Sequence, residues 1–204
     1  MESATYPYAA VEAALAGIFG ADPDVQRGAF RARLKHFQRL GLPGIESGKG
    51  TRISYSYEIA CQWLVGLLMA EVGVDPILIV KIIKTRWEYL GPRVKRATDS
   101  DAAENPWFLG LYPRLMSGSW AGGKSDPETL KWITMFQRYN RKLKVEREEI
   151  STALDRGGWL CVRNLTEALT KLQAALQTWE LLKDAGVVRA DMPLPPRRKQ
   201  EGAA

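Results

Sequence analysis

Between Arg27 and Arg52 the chain places seven basic side chains, Arg27, Arg31, Arg33, Lys35, Arg39, Lys49 and Arg52, against one acid, Glu46. Seven minus one leaves +6, the net charge of the whole 204-residue chain, so the remainder sums to zero. Cations at this density suit one kind of chemistry. They neutralise phosphate oxygens and release counterions, and they donate to guanine edges in a major groove. The only histidine, His36, falls in the same segment and has no second histidine and no nearby cysteine to join it in a metal or catalytic cluster.

Other chemistries are poorly supplied. "GIESGKG", residues 44–50, imitates a phosphate-binding loop, but Pro43 stands where that pattern needs glycine and Gly50 where it needs serine or threonine. A β-rich run, "TRISY", follows in place of the helix that would aim N–H groups at phosphate. No nucleophile-elbow or zinc-protease motif occurs, and the paired acids Glu148 and Glu149 sit in the charged run "KVEREE". The expectation is a protein that is not an enzyme and takes no cofactor. Cys61 and Cys161 stand alone in apolar contexts, which fits a reducing cytoplasm better than a disulfide framework. The N-terminal residues lack the pattern of a signal peptide, and no run approaches the ~20 apolar residues of a membrane span.

The cations need elements to position them. "YAAVEAALAGIF", residues 8–19, predicts a helix with Val11, Leu15 and Ile18 on one stripe. A second helix is expected from about Val25 to Leu40, closed by Gly41 with Pro43 beyond. At 100° per residue Phe30, Leu34 and Phe37 fall within about 60° of one another, the width of a buried stripe. Arg31, Lys35 and Arg39 lie on the adjoining and opposite surface, beside Ala32 and His36. "GIESGKG" and "TRISY" read as a β-hairpin with a glycine turn. Ser56 caps a third helix that ends at Gly73, and Asp75-Pro76 opens a fourth that runs to about Leu90, where Gly91-Pro92 should stop it.

Residues 94–106, "VKRATDSDAAENP", are polar and unpatterned and read as a linker. Beyond it "WFLGLYPRLM" predicts a strand, "TLKWITMFQRYN" is compatible with helix or strand, and "KVEREEISTALDRGG" predicts a short helix. "WLCVR" is a clear strand, followed by a helix capped by Asn164. In that helix Leu165, Leu169, Leu172, Leu176 and Trp179 are spaced 4, 3, 4 and 3. Five of the seven tryptophans lie beyond the linker, which predicts a separate core there, with the leucine seam packed on a small sheet or paired with its twin while supported by that sheet. The tail 191–204, Pro-rich and basic, is expected to be disordered or extended.

Helix, basic helix, two-stranded wing, helix, helix is the plan of a winged helix-turn-helix. "LKHFQRLGLP", Leu34 to Pro43, resembles the "LRYYERLGLL" end of the recognition helix of MerR-type regulators. "GTRISYS" is similar to their wing strand, and "YEIACQWLVGLLMAEVGVDPILIVKII" to the helix pair that follows. The resemblance covers roughly residues 8–90. It implies groove contact from Arg31, Lys35 and His36 and phosphate contact from Arg39, Lys49, Arg52 and Tyr55, with Arg27 and Arg33 in the same basic set. It matches Phe37, Leu40 and Leu42 to packing positions. The family's wing holds arginine and tyrosine two residues apart; here Arg52 and Tyr55 are three apart, on opposite faces of a regular strand. The family's long dimerisation helix is replaced by the polar run, so its dimer contact does not carry over.

The expected class is therefore α+β: a MerR-like winged helix of four helices and a two-stranded wing over 1–93, a linker over 94–106, a small α+β domain for dimerisation, partner binding or sensing over 107–190, and a basic tail. The expected function is a cytoplasmic, nucleoid-associated transcriptional regulator. It would bind double-stranded DNA as a homodimer, with a small-molecule or protein effector left open and no membrane involved. The alternatives are a DNA-bending, excisionase-like protein of a mobile element, or a protein–protein adaptor that does not bind DNA.

Overall fold

The computed structural model describes residues 4–21, 24–43, 54–98, 106–111, 133–137 and 161–186. In these the chain is helix-rich with two small antiparallel sheets. Strand β1 (Thr5–Pro7) leads into α1 (Tyr8–Ile18), followed by α2 (Asp24–Arg39), β2 (Ser54–Ser56), α3 (Tyr57–Glu71) and α4 (Pro76–Arg96). Strands β3 (Trp107–Leu111), β4 (Ile133–Gln137) and β5 (Cys161–Asn164) precede α5 (Leu165–Asp184). The expected first wing strand, Lys49, Arg52, the short helix expected in residues 144–158 and the tail lie outside the described residues.

Local chemistry sets most helix starts. The Ser56 hydroxyl accepts from Ile59 N (3.3 Å), and the Asp75 carboxylate accepts from Ile77 N (2.8 Å) and Leu78 N (3.3 Å). The Asn164 side chain accepts from Glu167 N (3.0 Å). Each satisfies an N–H that the first helical turn cannot pair. Gly41, at φ +88°, ends the basic helix in the left-handed conformation that glycine adopts without strain.

The fourth helix outruns its expected stop. It continues through Gly91 and Pro92 to Arg96, although Pro92 removes one backbone hydrogen bond. Burial holds the extra turns: Leu90, Val94 and Ala97 are all within 3% of full burial. Tertiary packing here outweighs a local breaker, and the helix absorbs residues 94–96 from the expected linker.

Strand β2 covers the end of the expected second wing strand, whose hairpin partner lies outside the described residues. Among the described residues it pairs with β1, in the register Thr5↔Ser56, Tyr6↔Tyr55 and Pro7↔Ser54. The two central tyrosines face inward, buried beside one another's elements. In the second sheet β3 is central, antiparallel to β4 (Leu109↔Met135) and to β5 (Leu109↔Arg163).

The leucine seam of α5 is buried throughout, from Leu165 to Trp179. It meets β3, and Thr166 Oγ1 accepts from Trp107 N (2.9 Å). Its larger contact is with α1. Tyr6 stands edge-on to Trp179, with ring centroids 6.3 Å apart. The described residues of both halves share one continuous core; of the five tryptophans behind the expectation of a separate C-terminal core, Trp120, Trp132 and Trp159 lie outside the described residues. Helix α3 contributes Ala60, Cys61 and the run from Trp63 to Met69 to this core, all buried.

That core encloses weak acids. Burial raises the pKa of Tyr6, Tyr8, Tyr55 and Tyr57, with the Glu180 carboxylate adding to it at Tyr6 and the Glu12 carboxylate at Tyr8. Burial likewise pushes the Cys61 thiol up to about 12. Each group ionises more readily unfolded than folded, so the folded state binds more protons at high pH and stability must fall there. The urea midpoint is expected to hold up to about pH 9 and to drop through pH 9–12. The tyrosinate absorbance contributed by these four buried tyrosines should appear together with unfolding and not before it.

Candidate nucleic-acid interface

Helix α2 is anchored by Phe30, Leu34 and Phe37, with Leu42 beyond its end, all buried. This fixes which side chains face out. Arg33, Lys35, His36 and Arg39 are exposed, and so are Gly28, Ala29 and Ala32. Among the described residues no acid pairs with Arg33, Lys35 or Arg39. At 100° per residue Gly28, Ala32, Lys35 and Arg39 fall in one strip about 60° wide, opposite the buried stripe. The outward face is thus small toward its N-terminal end and cationic toward its C-terminal end, so a polyanion can approach the backbone closely while cations meet it.

The other expected contacts are placed differently. Arg31 is committed inside the molecule. Its Nε donates to both Glu12 oxygens (3.0 Å each) and its Nη2 to Glu12 Oε1 (2.7 Å). Its side chain remains 46% exposed, but the hydrogen bonds and charge of Glu12 raise its pKa and hold its fork toward α1. Arg27 Nε lies 3.6 Å from the same carboxylate, with its side chain only 20% exposed. Glu12, on α1, is 2% exposed and neutralises the first turns of the basic helix.

Tyr55 leaves the expected set. It is 2% exposed, accepts from Gln38 Nε2 (3.3 Å) and stands 6.1 Å from the Tyr8 ring. Its position opposite Tyr6 in the sheet turns the ring into the core, so it has no surface to offer a phosphate. It instead braces α2 against β2 through Gln38.

Reasoning from charge alone missed Glu12 because it counted cations only within their own segment. The available signal was a lone acid in the otherwise apolar run "YAAVEAALAGIF". It also passed over Lys84, whose Nζ lies close over Gly41 at the end of α2, within 2.6 Å of where a Cβ would stand.

Gly28 has no internal reason to be glycine, since a Cβ there would meet nothing within 4 Å. Gly28→Ala is expected to stabilise the helix by about 0.5–1 kcal/mol. If α2 enters a DNA groove, the same change should nonetheless weaken duplex binding, because the added methyl stands on the face of approach. Denaturant titration and duplex titration of the same variant check both halves.

Among the described residues no group of three His, Cys, Asp or Glu side chains could hold a metal ion, and no helix is long and apolar enough to cross a membrane. No protein-family model matches the chain, and comparison with curated proteins finds no similar sequence.

Proposed function

We propose that this chain is a sequence-specific DNA-binding regulator of transcription that uses α2 as its reading helix. The carrying observation is the outward face of α2, where unneutralised Lys35 and Arg39 lie beside Gly28 and Ala32 on a helix fixed by its buried stripe. Such a helix can enter a major groove with its backbone close to the base edges and its cations on phosphates and guanines.

Lys35 and His36 take the groove role, and Arg39 and Arg33 the phosphate role. Lys49 and Arg52 supply the wing in the MerR-like plan that the sequence resembles. The protein acts as a homodimer on a two-fold site, because one small module buries too little surface for specific affinity. This places it in the cytoplasm on the nucleoid.

Recovery of bound genomic fragments by the purified protein, followed by titration of the selected duplex against salt, tests the reading. About five phosphate contacts per protomer imply a log K against log salt slope of about −4.5 for each half-site. Absence of duplex binding at low salt would leave the adaptor reading in its place. Bending of the selected duplex would favour the architectural one.

A further inference from the structure

Helix α4 holds a second concentration of positive charge. From Lys81 to Arg96 it carries Lys81, Lys84, Arg86, Arg93, Lys95 and Arg96 against the single acid Glu88. Chain-wide arithmetic hides this, because acids elsewhere cancel it. At 100° per residue Arg86, Tyr89, Arg93 and Arg96 fall in one strip about 80° wide, clear of Glu88. In the first turns of α4 this strip is filled by the buried Leu78 and Ile82, with buried Ile79, Ile83, Leu90 and Val94 on the neighbouring strip, so the strip passes from core to surface at Arg86.

The strip has features that a solvated helix face lacks. Tyr89 is 45% exposed, unusual here for a large apolar side chain. The Arg93 guanidinium lies 3.6 Å from the centre of the Tyr89 ring, and its Nη1 donates to the Tyr89 carbonyl (2.9 Å). A guanidinium stacked and tethered in this way is ordered before any ligand arrives, so less freedom is lost when its remaining donors meet an oxyanion. No carboxylate pairs with Arg86, Arg93 or Arg96 among the described residues. Glu58, on α3, accepts from Trp87 Nε1 (2.6 Å). The negative end of the helix dipole accounts for cations in the last turn, but not for Arg86 and an exposed tyrosine further back.

From this arrangement we infer that Arg86, Tyr89, Arg93 and Arg96 form a second polyanion-contact surface that takes the sugar–phosphate backbone of duplex DNA. The inference rests on the reading of α2 as a DNA-contacting helix. Three arginines on one rigid strip match a run of phosphates, which repeats its charge along a line, better than a single small anion. Lys84, on the face of α4 opposite this strip, lies close over Gly41 and brings one further cation to the end of α2.

The test is duplex titration across salt for the full chain and two variants, Arg86→Ala/Arg93→Ala/Arg96→Ala and the milder Arg86→Gln/Arg96→Gln. The milder variant spares the Arg93–Tyr89 contact and keeps the test valid if the triple variant folds poorly. Loss of three phosphate contacts should make the log K against log salt slope shallower by about 2.7, and loss of two by about 1.8, with sequence preference unchanged. An unchanged slope in both, while Arg39→Ala still reduces it, overturns the second surface and leaves the α2 reading standing. No duplex binding by the parent chain overturns both. Polyglutamate binding that disappears in the variants while duplex binding persists would assign the strip to an acidic protein instead, and also overturns the proposal.

Discussion

Lys35→Ala and Arg39→Ala are expected to weaken DNA binding in different ways. Arg39 stands in the last turn of α2, exposed and without an acidic partner among the described residues. A phosphate contact there carries no sequence information, so its loss should weaken selected and random duplex by the same factor and make the salt slope shallower by about 0.9. Lys35 lies one turn earlier, beside the small Ala32, where the backbone can come nearest the bases. Its loss should cost about 1–3 kcal/mol on the selected site, roughly 5- to 150-fold, with a much smaller effect on random duplex. Both side chains are exposed, so unfolding free energies should stay within about 0.5 kcal/mol of the parent. Titration of each variant with selected and random duplex across salt, beside denaturant unfolding, reads all of these. Equal losses on both duplexes from Lys35→Ala would remove Lys35 from the groove.

Features decided by nearest neighbours in sequence were legible. Ser56, Asp75 and Asn164 cap helices because a short polar side chain reaches an N–H two or three residues on, and nothing distant is required. The stripe Phe30, Leu34 and Phe37 and the seam Leu165 to Trp179 were legible for a related reason: helical period alone gathers them on one face.

What those faces meet was not legible. Period shows that the seam of α5 is buried, but not that α1 covers it. Strand β2 is three residues long, too short for alternation to indicate a partner, and Thr5–Pro7 has no strand pattern of its own. Gly91-Pro92 is a true local stop signal that lost to the burial of Val94 and Ala97. For the candidate interface the same limit holds. Sequence located the cations of α2, yet which of them are free depends on one acid from another helix and on the direction a three-residue strand turns Tyr55.

That acid sets the last expectation. Glu12→Ala should destabilise the fold and yet strengthen non-specific DNA binding. Glu12 is 2% exposed, receives three donor contacts from Arg31 and compensates Arg27, whose Nε is buried without a hydrogen bond of its own. Removing one partner of a buried pair costs about 3–5 kcal/mol. Here Arg31 is half-exposed and can turn to water, so the expected loss is smaller, about 2 kcal/mol. Glu12→Gln keeps the volume and an acceptor and should lose about 1 kcal/mol. Either change frees Arg31 on the surface of a helix that already carries Lys35 and Arg39. Random-duplex affinity should therefore rise and its salt slope steepen by up to about 0.9 for Arg31 alone. Arg31→Ala in the parent should destabilise the fold while leaving duplex binding nearly unchanged, since that arginine is spent on Glu12. If Arg31→Ala instead weakens binding as much as Lys35→Ala does, Arg31 leaves Glu12 when DNA arrives, and the ion pair is a contact exchanged on binding and not a fixed brace between α1 and α2.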